Sequence, residues 1–217
     1  MICAYNEIYH PQARETMGAM FDYVVWDCKI DMDFFFDLFI GSHFADRFGD
    51  GDPVVLAGKS GPEIAWDVFS ATKYTNLRPK PRYNLNRSRE YWVGWIMADY
   101  QWRSAIPFRE IRTFMPPSRV LSLYSPYHER DPRAFMERAN EIYREVKKDS
   151  NLKVRREARG MSQAALAEVS GVPLRTLQQY EQRQKDIRKA NVGYVYQLAR
   201  TLCCRIEDIL EYGAIKS

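Results

Sequence analysis

Residues 162–181 read SQAALAEVSGVPLRTLQQYE, and their pattern decides the fold of the C-terminal part of the chain. Apolar residues recur at helical spacing on either side of Gly171. A glycine can take positive φ without a Cβ penalty, so it can end one helix and redirect the chain into the next. The stretch therefore predicts two short helices joined by a tight turn. The residues expected to face inward are Leu166, Ala167, Leu177 and Tyr180.

Both predicted helices have suitable first residues. Ser162 can accept a hydrogen bond from a backbone N–H as the N-cap of the first helix. Ala165 stands at the position where a capping box has Glu or Gln. No side chain is therefore expected to accept a hydrogen bond from the backbone N–H of Ser162 in return. Pro173 suits the first turn of the second helix, where its missing N–H is no loss.

The pattern extends beyond these two helices, and residues 152–210 resemble the Cro/phage-repressor (Xre-like) helix-turn-helix family. The resemblance rests on LKVRREARGMSQAALA at 152–167, SGVPLRTLQQYE at 170–181 and IEDIL at 206–210. It implies a five-helix lambda-repressor-like DNA-binding domain at the C-terminal end of the chain. Together with the N-terminal helical domain inferred below, the predicted fold class is all-α. The apolar positions of the intervening helix are Val192, Val195, Leu198, Ala199 and Leu202.

In this family the second helix of the unit lies in the major groove, and its exposed early residues read base edges. Arg175 and Gln179 are one turn apart on the same face. Because Arg can bond guanine and Gln can bond adenine through two hydrogen bonds, we expect these two to be the main base readers. Gln178 either contacts DNA or is only solvated. The residues expected to point outward are Leu174, Arg175, Thr176, Gln178 and Gln179.

Other residues are expected to contact phosphates or to hold the domain together. Gln163 begins the preceding helix, whose positive N-terminus favours a phosphate contact. The resemblance also implies an internal ion pair between Arg156 and Glu181 with a structural role. Basic residues after the recognition helix should face backbone phosphates. They are Arg183, Lys185, Arg188 and Lys189.

A single domain of this type covers one half-site, so the resemblance implies a homodimer on near-palindromic double-stranded DNA. Two dimerisation surfaces are left open. One lies within residues 195–209, and the other lies in the N-terminal domain.

Composition divides the chain into domains 1–148 and 149–217. Of 30 aromatic residues, 26 lie in the first 148. Residues 149–217 carry 12 Lys/Arg and 8 Asp/Glu, whereas residues 1–148 carry 20 of each. The excess positive charge of the C-terminal domain suits a surface that faces DNA.

The N-terminal domain is predicted to be helical, since no useful strand-like alternation occurs. Phe34, Phe35, Leu38 and Phe39 are expected to form the core face of a helix that starts at Asp31 or Asp33. Aromatic residues crowd another helix so densely that it is either the buried central helix or a partner-binding surface. Its tryptophans are Trp92, Trp95 and Trp102. The predicted helices cover 11–29, about 31–48, 62–71, 90–105, a short segment after 107, and 132–148.

Two motifs, GKSGxE at 58–63 and YWxGW at 91–95, resemble a loose group of bacterial proteins of unknown function, a resemblance that implies no chemistry. Gly58-Lys59-Ser60 lacks the first glycine of a phosphate-binding loop, because Pro53 occupies that position; Ser60 is instead expected to cap a helix. The basic, proline-containing segment 73–89 is expected to be a solvated loop rather than a nucleic-acid contact.

Several classes of function find little support. The sequence lacks an apolar run long enough to span a membrane and a secretory leader, so a cytoplasmic protein with reduced thiols is expected. The four cysteines lack C-x-x-C spacing, and neither a metal nor a cofactor is expected. Catalysis is not expected either, because nothing places His43, His128 or Cys28 beside a base or an orienting group.

Two functions remain open from the sequence. The first is a sequence-specific transcription regulator, an autoregulatory repressor whose N-terminal domain senses a partner or ligand. The second is an antitoxin or phage counter-defence inhibitor, whose N-terminal domain neutralises a protein partner while the helix-turn-helix represses its own operon. A tight stoichiometric protein partner would favour the second.

Overall fold

The computed structural model describes residues 3–75, 78–82 and 86–211, and within these ranges it contains helices and no strand. The all-α prediction is therefore confirmed. The chain divides into two compact units, Met1–Tyr143 (unit 1) and Arg144–Ser217 (unit 2). Among the described residues, no helix has both the length and the apolar character needed to cross a membrane.

Unit 1 is built around its first long helix. The helices are α1 His10–Trp26, α2 Met32–Gly41, α3 Phe44–Gly49, α4 Pro53–Leu56, α5 Gly61–Thr72, α6 Arg89–Ser104, α7 Phe108–Phe114, α8 Pro117–Ser122, α9 Tyr124–Tyr127 and α10 Pro132–Val146. Helix α10 continues past the boundary into unit 2. Helix α1 packs against both α5 and α6.

Two motif glycines make this close packing possible. A Cβ on Gly94 would lie 2.3 Å from the carbonyl oxygen of Met17, and a Cβ on Gly61 would lie 2.3 Å from the backbone nitrogen of Met20. Real side chains do not approach backbone atoms so closely, so any larger residue would push α6 or α5 away from α1. The glycines of the GKSGxE and YWxGW motifs therefore have a packing role.

The helix starts agree with local capping chemistry. Asp31 accepts a hydrogen bond from the backbone N–H of Phe34 at 2.9 Å and caps α2. Ser60 precedes α5, as predicted, and both its backbone N–H and its hydroxyl donate to Glu63, at 2.8 and 2.7 Å. The carboxylate of Glu63 thus holds the entry to α5, and the pKa of Glu63 is lowered by these hydrogen bonds from Ser60.

The region around α2 departs from the prediction in two ways. The helix ends at Gly41, not near residue 48, because His43 takes a left-handed conformation with φ 64° and a new helix starts after it. Phe34 is also not a core residue, since it is 42% exposed. Phe36 is buried in its place, with its ring between those of Phe21 and Phe108 at centroid distances of 6.1 and 6.0 Å.

The tryptophans of α6 pack within unit 1. Trp102 is buried and stacks on His10 with ring centroids 3.8 Å apart. Trp92 is half-buried and meets Phe135 edge to face, and Trp95 lies under the guanidinium of Arg14. These contacts fit the central-helix alternative, and they leave Trp102 unavailable to a partner.

A group of buried charges lies beside this aromatic packing. The carboxylate of Asp99 is fully buried and accepts hydrogen bonds from His10 Nε2 and Arg103 Nε, both at 2.8 Å, and from Arg14 Nη1 at 3.4 Å. Burial raises the pKa of Asp99, but the hydrogen bonds from His10 and Arg103 outweigh it, so the pKa lies below its ordinary value. The interaction joins α1 to α6.

Up to residue 211, where the description of unit 2 ends, the unit contains four further α-helices: α11 Asn151–Ala158, α12 Gln163–Ser170, α13 Leu174–Glu181 and α14 Val192–Thr201. The fifth helix expected from the resemblance is a single 3-10 turn, Ile206–Asp208. A contiguous apolar core joins these elements. It contains Leu152, Leu166, Val172, Leu177, Tyr180, Ile187, Val195, Leu198, Ala199, Leu202 and Ile209.

Candidate nucleic-acid interface

Helices α12 and α13 form the two-helix unit that the sequence predicted. The hydroxyl of Ser162 accepts a hydrogen bond from the N–H of Ala165 at 3.1 Å and caps α12. Gly171 ends that helix with φ 69°, in the left-handed region where a Cβ would be strained. Leu177 and Tyr180 face the core from α13.

The opposite side of α13 is open to solvent. Leu174 and Arg175 are exposed in its first turn, and Thr176 and Gln179 are half-buried. Among the described residues, no carboxylate pairs with Arg175. Its guanidinium is therefore available for an external acceptor such as the O6 and N7 atoms of guanine.

A buried ion pair fixes α13 to α11. Arg156 donates to Glu181 through Nε at 2.7 Å and through Nη2 at 3.1 Å. A further guanidinium nitrogen, Nη1, donates to the carbonyl oxygen of Met161 at 2.7 Å. The hydrogen bond to Glu181 is the main reason that the pKa of Arg156 is raised. The residues implied as a structural pair are thus in direct contact.

Gln163 joins this pair to the exposed side of the unit. Its Nε2 donates to Glu181 Oε2 at 2.8 Å, and its Oε1 accepts from Gln178 Nε2 at 3.4 Å. One amide hydrogen of Gln163 is left for the phosphate expected from the sequence. Gln178, for which the sequence left two alternatives open, lies half-buried beside Gln163.

The basic residues after α13 divide into two groups. Arg183 has φ 55°, and its guanidinium donates to the carbonyl oxygens of Lys147 at 2.6 Å and Asp149 at 2.9 Å. It also forms an ion pair with Glu211 at 3.3 Å. Arg183 was expected to face phosphates, and in this structure its donors serve the carbonyl groups that follow α10.

Arg188 is likewise engaged, since its Nη2 lies 2.9 Å from Asp186 Oδ2. Lys185 and Lys189 are exposed, and within the described part of unit 2 neither has an ion-pair partner. These two lysines are therefore better placed than Arg183 or Arg188 to neutralise phosphates.

Unit 1 contains a cleft of about 610 Å³ that sequence reasoning did not foresee. The two motifs border it, because Ser60, Gly61 and Glu63 line one side and Tyr91 another. Both motifs are visible in the sequence. The sequence does not show that they lie side by side, because this depends on the packing of α5 and α6 on α1. The charged residues of the lining are Glu15, Asp22, Asp27, Glu63, Arg82 and Arg87.

The lining of the cleft has four carboxylates and two guanidinium groups, so negative charge is in excess. Burial raises the pKa of Asp22, and the neighbouring charges of Asp27 and Glu90 act in the same direction, against the hydrogen bond from Ser88. The guanidinium of Arg87 lies 4.6 Å from the ring centroid of Tyr91. Part of the segment 73–89, namely residues 76–77 and 83–85, lies outside the described residues.

The residues considered for catalysis make local contacts. His43 is exposed, with Nδ1 3.6 Å from Asp46. His128 stacks on Tyr124, four residues earlier, and donates through Nδ1 to its carbonyl oxygen at 2.9 Å. Burial raises the pKa of the Cys28 thiol, which opposes formation of a nucleophilic thiolate.

The geometry of unit 2 is that of a helix-turn-helix domain, the class of fold found in DNA-binding transcription regulators. Residues 152–209 match a family model described as Helix-turn-helix, and this segment is a helix-turn-helix domain of the Cro/phage-repressor (Xre-like) type. The match indicates double-stranded DNA as a partner. No curated protein and no solved structure matches the chain, so the resemblance suggested for residues 1–148 finds no support.

Proposed function

We propose that the protein is a sequence-specific transcription regulator that represses its own expression. The observation that carries this proposal is the exposed Arg175 in the first turn of α13, which has no carboxylate partner among the described residues. A guanidinium at this point of a helix that enters the major groove can bond guanine through two hydrogen bonds. Gln179, one turn later on the same face, supplies an amide suited to adenine.

The support of α13 favours specific reading over loose attraction. The helix is held by the buried side chains of Leu177 and Tyr180 and by the Arg156–Glu181 ion pair. Because the helix is firmly held, its backbone needs no further ordering when its side chains bond bases. Lys185 and Lys189 add a sequence-independent attraction to phosphates.

A homodimer on a near-palindromic site is part of the proposal, because one unit covers one half-site. Val195 and Ile209, which fall within one of the dimerisation segments considered, are buried in the core of their own unit. Residues of that segment that face outward, such as Tyr196, are better placed to meet a second copy.

Unit 1 is proposed to sense a ligand or partner through its cleft. The lining combines aromatic rings with four carboxylates and two guanidinium groups, which favours a cationic ligand. In such a regulator, the ligand would change the affinity for DNA only if it bound the two states of the protein differently.

The test is a selection of duplexes from a random pool with the full chain, followed by titration of the selected duplex at several salt concentrations. We expect a near-palindromic site that also occurs upstream of the protein's own coding sequence. Affinity should fall steeply with salt, since neutralised phosphates release counterions. No enrichment, or an affinity independent of salt, would overturn the proposal.

A further inference from the structure

The first residue of the recognition helix is apolar and exposed. Leu174 is 40% exposed, and the next residue is the exposed Arg175. Helical spacing places Leu174 on the same side as Gln178, one turn later, at the border of the face that Leu177 and Tyr180 bury. Leucine at this position therefore presents a hydrophobic surface among side chains that can form hydrogen bonds.

The major groove offers few groups that such a surface could recognise. Each base pair presents hydrogen-bond donors and acceptors there, but thymine also presents a 5-methyl group. An aliphatic side chain can exclude water from this methyl group and can make no hydrogen bond to the polar edges of the other bases. 5-Methylcytosine carries a methyl group at the same ring position.

We propose that Leu174 reads the 5-methyl group of a pyrimidine, on a base pair adjacent to the guanine that Arg175 bonds. This inference rests on the proposed function, because it assumes that the first turn of α13 enters the major groove. Leu174 and Arg175 are consecutive residues of that turn, so they reach neighbouring positions of the duplex. The half-site would then combine a guanine with a methylated pyrimidine beside it.

The size of the effect follows from burying one methyl group. Burying one such group contributes about 0.8 kcal/mol to binding. Since ~1.4 kcal/mol changes Kd tenfold, this corresponds to about a fourfold change in Kd. This is smaller than the loss expected when a two-bond Arg–guanine contact is removed. The two contributions can therefore be separated by single substitutions in the protein and in the DNA.

The experiment titrates the full chain with its selected duplex and with duplexes in which each thymine is replaced singly by deoxyuridine. Replacing thymine by uracil removes only the methyl group. One position per half-site, adjacent to the guanine sensitive to Arg175→Ala, should weaken binding about fourfold. A duplex with cytosine at that position should bind the protein more weakly than a duplex with 5-methylcytosine there. This comparison tests 5-methylcytosine as the other base that carries the methyl group.

Leu174→Ala gives the matching change in the protein. This variant should bind thymine and deoxyuridine duplexes equally, so that the double-mutant cycle assigns the methyl effect to Leu174. Val154→Ala, which shortens an exposed apolar side chain on α11, should keep the difference between the two duplexes. Circular dichroism of each variant checks that the helices are retained.

The outcomes distinguish this inference from the function on which it rests. If no duplex is selected, the proposed function fails, and the inference fails with it. If a selected duplex is bound but no thymine-to-uracil change weakens binding, only the inference is overturned. A methyl effect that persists in Leu174→Ala also overturns it, because another side chain would then contact the methyl group.

Discussion

The guanidinium of Arg156 and the carboxylate of Glu181 form a two-bond ion pair, with Nε–Oε1 and Nη2–Oε2 distances of 2.7 and 3.1 Å. Their side chains are only 9% and 2% exposed. The pair joins α11 to the last residue of α13. The orientation of the recognition helix therefore depends on a buried interaction between charges as well as on apolar packing.

Arg156→Ala should destabilise unit 2 by about 3–5 kcal/mol, because it leaves Glu181 buried without its cation. The sequence of unit 2 contains no tryptophan. Hydrogen exchange of its peptides within the full chain is therefore the suitable measurement. The amides of α11 and α13 should lose protection.

Arg155→Ala is the matched control, because the neighbouring Arg155 pairs with Asp208 at 3.2 Å on the surface. Exposed pairs contribute about 0–1 kcal/mol, so this variant should exchange almost as the wild type does. Equal protection in Arg156→Ala and Arg155→Ala would contradict a structural role for the buried pair.

The helix-turn-helix was predictable because its determinants are local. Ser162, Gly171 and the apolar spacing of Leu166 and Leu177 each act within a few residues, and the structure places them as expected. The contacts of Arg183 were not predictable, for the opposite reason. Its acceptors are carbonyl groups of Lys147 and Asp149, more than 30 positions earlier, and only the folded chain brings them within reach.

Unit 1 was less predictable for the same physical reason. Helical periodicity indicated most of its helices, but the left-handed conformation of His43 divides one of them. The contact between His10 and Asp99 joins residues 89 positions apart, which no local pattern reveals. The cleft likewise depends on the close packing of α5 and α6 on α1.

Asp99→Asn should destabilise unit 1 by about 3–5 kcal/mol at pH 7, because His10, Arg14 and Arg103 lose a buried carboxylate. The pKa of Asp99 is lowered in the folded protein, so its ionised form favours folding. That contribution is present in full above the unfolded-state pKa of about 3.9 and is lost as the pH falls through the lowered value.

Urea unfolding followed by tryptophan fluorescence measures this effect, because all five tryptophans lie in unit 1. The difference between wild type and Asp99→Asn should shrink as the pH falls below about 4. Asp37→Asn is the control, since Asp37 pairs with Arg112 while more than half of its own side chain is exposed. A difference that did not change with pH would argue against ionisation of Asp99 as its cause.

Gly94→Ala should destabilise unit 1 by about 1–3 kcal/mol or more, because its Cβ would lie 2.3 Å from the carbonyl oxygen of Met17. Gly41→Ala is the matched control. Gly41 also lies in a helix, but a Cβ there would meet no atom within 4 Å. Since alanine favours helix over glycine, Gly41→Ala should be neutral or stabilising by up to about 1 kcal/mol. Equal melting temperatures for the two variants would show that α1 and α6 can separate without loss.

Substitutions at Arg175 and Lys189 distinguish base reading from general attraction to DNA. Arg175 is exposed within α13, whereas Lys189 is exposed after it, in a 3-10 turn. Arg175→Ala should lose about 1–3 kcal/mol of binding free energy on the selected duplex and relax the preference at one base pair. Lys189→Ala should weaken binding to all duplexes alike and reduce the slope of log K against log salt by about one unit.

Arg183→Lys provides the comparison for a basic residue whose donors are engaged within unit 2. It keeps the positive charge but loses the planar group that donates to the carbonyl oxygens of Lys147 and Asp149. We expect lower stability of unit 2 with an unchanged salt slope. Titrations on selected and scrambled duplexes at several salt concentrations measure all three variants. If Arg175→Ala lowered the affinity for both duplexes equally, Arg175 would be a phosphate contact, and α13 would not enter the groove as proposed.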